Sequence, residues 1–124
     1  MEDEIKTHHS PDNFNIKGVG YHEMGHIIEN YLTGLKYKNY NSYVKAVDKS
    51  EIARDIINSA FRDLNNSKKN INIGFDKAIG EISTYATVSY SECLGEAVAD
   101  YKINGNKANQ LSIKIWEIIK ERLK

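Results

Sequence analysis

Apolar residues recur at helical spacing along most of the chain. Ile52, Ile56, Ile57, Ala60, Phe61 and Leu64 form one stripe, which predicts an amphipathic helix reaching about Asn65. Asp48 and Glu51 have the spacing of a capping pair at its start. Leu111, Ile115, Trp116, Ile118, Ile119 and Leu123 form a second stripe, over about Asn109 to Leu123. Val19, Ile27, Ile28, Tyr31 and Leu32 predict an inward face for an earlier helix. That helix should begin at Asn15 or Lys17 and run to Thr33, with Gly34 placed to end it. Gly18, Gly20 and Gly25 weaken it locally, and glycines there leave room for another segment to pack close. Phe75, Ala78, Ile79 and Ile82 fit a short helix over Gly74 to Ser83. Ser89 with Glu92 makes a capping box, so a further helix should start near Tyr90 and end near Asn104, before Gly105.

Between these helices the polar tract 65–72 reads as a surface loop, and residues 35–47, with Tyr37, Tyr40 and Tyr43, read as a loop with at most a short extended piece. Residues 1–14 hold the sole proline, Pro11, and the polar pair His8 and His9, and they read as irregular. Period-two alternation is nearly lacking. The expected fold is therefore mainly α, about five helices with little or no β-sheet, in a single domain over residues 15–124.

Composition narrows the partners. The 17 acidic and 17 basic residues balance, with no basic stripe, which gives a nucleic-acid partner no electrostatic support. No apolar run is long enough to span a membrane. The acidic start Met1-Glu2-Asp3-Glu4 lacks the apolar segment of a secretory signal, so a cytoplasmic location is expected. Cys93 is the single cysteine, which excludes an internal disulfide and a cysteine-based zinc cluster. It reads as a small buried apolar residue.

The candidate chemistry lies in His22-Glu23-Met24-Gly25-His26. Two histidines four apart share one helix face, which lets both imidazoles reach one Zn²⁺ at about 2.0–2.1 Å. Glu23 then projects beside the metal, where a carboxylate can take a proton from an activated water. A third protein ligand is needed. Glu92, Glu96 and Asp100 follow at four-residue intervals on one face of an otherwise apolar helix, where burial of a carboxylate demands a partner. Two assignments fit: Glu92 on zinc with Glu96 orienting His22, or Glu96 on zinc with Asp100 orienting His22.

The motif His22 to His26 together with Glu96-Ala97-Val98-Ala99-Asp100 resembles the thermolysin-type gluzincins. A closer resemblance is to zinc peptidases of the lethal-factor type, a group that includes the Pro-Pro endopeptidases and zincin-like domains of phage head-morphogenesis proteins. In that group a tyrosine precedes the ligand glutamate by seven residues, and a supporting glutamate follows four later. Here those positions are Tyr85, Glu92 and Glu96. The segment from His9 to Val19 is similar to the lead-in of the phage-associated members. Cys93-Leu94-Gly95 and Ser89 depart from the usual residues of the group. The resemblance implies a zincin-like domain acting as a zinc metalloendopeptidase on a peptide or protein substrate. It implies His22, His26 and Glu92 as metal ligands, Glu96 as the supporting group, Glu23 as general base, and Tyr85, or failing it Tyr90, as the oxyanion partner. It also implies an alternative, a non-catalytic zinc-stapled module within a phage or mobile-element assembly.

Overall fold

The computed structural model describes residues 16–66 and 75–124, and of residues 16–19, 75, 76 and 85 the backbone alone. The expectations for residues 1–14, the 67–72 tract and the side chains of Val19, Phe75 and Tyr85 lie outside what is described. Along the described residues run α1 (Ile16–Lys36), α2 (Tyr40–Asp48), α3 (Glu51–Asn65), α4 (Phe75–Gly80), α5 (Tyr90–Asn104) and α6 (Gln110–Arg122). Short 3-10 turns occupy Tyr85–Thr87 and Gly105–Lys107, and no strand occurs among the described residues. The fold is mainly α, as the hydrophobic spacing predicts. No helix among the described residues is long and apolar enough to cross a membrane.

α5 is the axis of the domain. Every residue from Cys93 to Asp100 is buried, because α1, α3, α6 and the Tyr85–Thr87 turn pack around it. A helix enclosed on all sides carries small and apolar residues wherever no polar partner meets it, and Leu94, Ala97, Val98 and Ala99 do so here. Ile52, Ile56 and Ile57 of α3 and Leu111, Ile115 and Ile119 of α6 close the core around it. Each such side chain contributes roughly 1.5–3 kcal/mol on burial. Ser89 caps α5 by accepting the Glu92 amide at 3.1 Å, and Gly105, with φ of +58°, ends it.

Four local expectations are corrected. Residues 40–48 are helical, not a loop: Asn39 caps α2 by accepting the Ser42 amide, and Tyr43 with Ala46 gives it a helical packing face. Asp48 therefore closes α2, and the position before α3 is held by Ser50 at φ of +50° without a side-chain cap. α1 runs through Gly34 to Lys36, because a Cβ at Gly34 would meet only Tyr43 at ordinary contact distance and nothing there forces a turn. α4 stops at Gly80, three residues short, and this frees Ser83 to turn inward.

The inward face of α1 also differs from its apolar stripe. Ile28 and Leu32 are buried, but Ile27 is 67% exposed and Tyr31 57% exposed. The buried positions of this helix include His22, Gly25, Glu29 and Thr33, so the face on α5 is largely polar. An apolar-only reading misses such a face, because its polar groups are buried against partners rather than solvated.

Candidate metal centre

Two glycines make the site possible. A Cβ on Gly25 of α1 would lie 2.7 Å from the Gly95 Cα of α5, so the backbones of the two helices touch at this crossing. A Cβ on Gly95 would meet the His22 ring at 2.9 Å, so its absence is the space in which that ring sits. The close approach brings the histidine face of α1 against the carboxylate ladder of α5.

The first two carboxylates of the ladder meet the histidines. Glu92 Oε1 lies 3.1 Å from His26 Nε2, and Glu92 Oε2 lies 3.4 Å from His22 Nε2. The two Nε2 atoms are 3.0 Å apart. These three side chains are the group among the described residues whose donors converge closely enough to hold a metal ion. Ligand atoms at tetrahedral angles and about 2.0–2.1 Å from zinc stand about 3.3 Å from each other, which matches these separations. Glu96 is buried deeper, its Oε2 2.7 Å from His22 Nδ1, and its Oε1 accepts the Ser83 hydroxyl at 2.7 Å. Ser83 in turn accepts the Ala86 amide, which ties the Tyr85–Thr87 turn to the same network.

His26 is held differently. Its Nδ1 lies 3.0 Å from Ser91 Oγ, and the Ser91 hydroxyl donates to Glu29 Oε1 at 2.6 Å. Glu29 itself stands 3.8 Å from Nδ1, beyond direct hydrogen bonding, with the hydroxyl between them. Neither Glu29 nor Ser91 belongs to the sequence motif. Glu29 follows His26 by three residues and so shares its helix face, a signal that was available. Ser91 carried none, being one polar residue in a first helical turn.

The hydrogen-bond directions fix the ring tautomers. A carboxylate has no hydrogen to give, so His22 Nδ1–H donates to Glu96. The single Ser91 hydrogen goes to Glu29, so Ser91 Oγ accepts from His26 Nδ1–H. In both neutral rings the Nε2 lone pair then faces the other ring and the Glu92 oxygens. Lone pairs so close together need a positive charge among them, either a proton or a cation. Consistent with this, the His26 pKa is raised above its ordinary 6.5, first by Glu29, with Glu92 and Glu23 adding to it while burial opposes. The donor set, two imidazole nitrogens each oriented from behind and a carboxylate oxygen, fits Zn²⁺.

Of the two possible assignments, this geometry matches Glu92 beside the Nε2 pair with Glu96 behind His22. Asp100 stands apart from them: it accepts the Asn104 side-chain amide at 2.8 Å and the Asn109 backbone amide at 3.0 Å, joining the end of α5 to the start of α6. Glu23 is exposed on α1, near enough for its charge to act on His26. Tyr85 sits in the 3-10 turn beside the network, and its side chain is not among those described. Tyr90 is half-buried against the core and lines a cleft of about 630 Å³ with Ser50, Ile79, Ala86, Val88 and Ser89. Cys93 is fully buried, its thiol pushed up to about 12 by burial and then by Glu96, which fits an apolar role. The chain matches no protein-family model, no curated protein and no solved structure.

Proposed function

We propose that the chain is a zinc-dependent metalloendopeptidase, with His22, His26 and Glu92 as the metal ligands. The observation that supports it most strongly is the meeting of two Nε2 atoms and a carboxylate within 3.4 Å, each histidine oriented through its far nitrogen. Bound Zn²⁺ supplies Lewis acidity there and lowers the pKa of a water toward about 7. Glu23, exposed, adjacent to His22 in sequence and near enough for its charge to act on His26, takes the proton of the attacking water and delivers it to the departing nitrogen. Glu96, braced by Ser83, keeps His22 in the Nδ1–H form throughout. Tyr85 is assigned the developing oxyanion on the strength of its position seven residues before Glu92. The cleft beside Tyr90 shares the first turn of α5 with Glu92 and offers a peptide a place to lie.

A second reading is a zinc-stapled module without catalysis, serving a phage or mobile-element assembly. It is favoured by the walls of the site, which are helices and a 3-10 turn, with no edge strand among the described residues to hold an extended peptide. Incubating zinc-loaded chain and its Glu23→Gln variant with a peptide library, with and without chelator, separates the two. The peptidase reading expects cleavage by the parent alone, abolished by chelation. Zinc retention without cleavage by either protein supports the staple.

A further inference from the structure

The two histidines are oriented by different devices. His22 meets a carboxylate directly, whereas His26 meets a hydroxyl whose own hydrogen is committed to a buried carboxylate. We propose that Ser91 and Glu29 form a positioning relay for His26, in which Glu29 takes the Ser91 hydrogen so that Ser91 Oγ can only accept from Nδ1–H, leaving Nε2 free for the metal. This inference rests on the metal-site reading above and extends it to two residues that touch neither metal nor substrate.

The chemistry of each member fits the role. A serine alone could either give or take a hydrogen at Nδ1 and would leave the tautomer open. Glu29, 3% exposed, removes that freedom, because it accepts at 2.6 Å and has nothing to return. A glutamate touching the ring directly would do the same, but Glu29 Oε1 is 3.8 Å away, and the hydroxyl fills the gap. Placement matters as well. His26 and Glu29 belong to α1, while Ser91 belongs to α5 and immediately precedes Glu92. The relay therefore spans the same helix crossing as the ligands, and it fixes the ring relative to the turn that supplies the third donor.

The test is a competition titration of zinc against a chromophoric chelator, with helicity followed by circular dichroism. Ser91→Ala should weaken zinc binding about 10- to 100-fold, the usual effect of losing the group behind a ligand histidine. The isosteric pair Ser91→Thr and Ser91→Val differs in the hydroxyl alone. The threonine variant should bind several-fold or more tightly than the valine variant at matched helicity, and this pair carries the test should Ser91→Ala unfold. In a His26→Ala background, Ser91→Ala should cost no further affinity, because the relay acts only through that ring. Equal zinc affinity of the threonine and valine variants, or an undiminished loss on top of His26→Ala, overturns the relay. A parent chain that takes up no zinc overturns the metal-site reading itself, a result distinguishable from failure of the relay alone.

Discussion

Glu23 and the groups behind the histidines have separable consequences. Glu23 is exposed and makes no part of the convergent donor set, so Glu23→Gln should keep zinc while lowering peptide hydrolysis by at least about 10²–10⁴-fold. Parallel zinc analysis and kcat/KM measurement would show it, and a Glu23→Gln variant that cleaves as fast as the parent contradicts the assigned base. Glu96→Gln should act mainly on metal affinity, since its carboxylate lies behind His22 at Nδ1 and not beside the Nε2 pair. Cys93 should resist alkylation in the folded chain, because its thiol is buried and held near 12, and should react only on unfolding. Mass spectrometry after a timed iodoacetamide pulse, with and without denaturant, reads this out.

At the level of elements, the glycines divide into those the crossing requires and those it does not. Gly25→Ala would drive a methyl into the Gly95 backbone and should destabilise the domain by about 1–3 kcal/mol while weakening metal uptake. Gly34→Ala, in the last turn of α1 with only an ordinary contact to Tyr43, should stabilise by up to about 0.5–1 kcal/mol. Denaturant melts of the two variants test the contrast, and equal effects would contradict it. The same contrast marks what was legible beforehand. The stripes of α3 and α6 declare themselves through isoleucine and leucine spacing, and α5 through the Ser89 cap and Gly105. α2 hid because its cap is Asn39 and its packing face is tyrosine and alanine, residues that also suit loops. The buried side of α1 hid because it is built of His22, Glu29 and Thr33, and Ile27 and Tyr31 drew the apolar face to the wrong side. The site was legible in its front rank, the motif histidines and the Glu92–Glu96 ladder, since four-residue spacing survives any helical packing. Ser83 and Ser91 were not, because they depend on which helix faces which, and Glu29, although it shares the His26 face, takes its role only through Ser91 across the crossing.

For the molecule as a whole, a metal held between α1 and α5 is linked to folding. Zinc at about a hundredfold excess over its Kd should add about 2.7 kcal/mol, and chelation should lower Tm on the order of 10 °C. The linkage to pH has opposite signs with and without metal. His26 has a folded pKa above its ordinary 6.5, so in the metal-free chain its contribution is complete below about pH 6.5 and is lost as pH rises through the folded value. Zinc requires the neutral ring, so apparent affinity should rise over the same interval. Melting curves of chelated and zinc-loaded protein should therefore separate further as pH increases, and curves that stay parallel would contradict the coupling. The central claim is that His22, His26 and Glu92 share one metal ion, and the most direct measurement is the zinc content of the purified chain after dialysis against trace metal, alongside His22→Ala. The expected result is one equivalent retained by the parent and lost in the variant. Retention of no zinc by the parent, or of the same amount by His22→Ala, would contradict it.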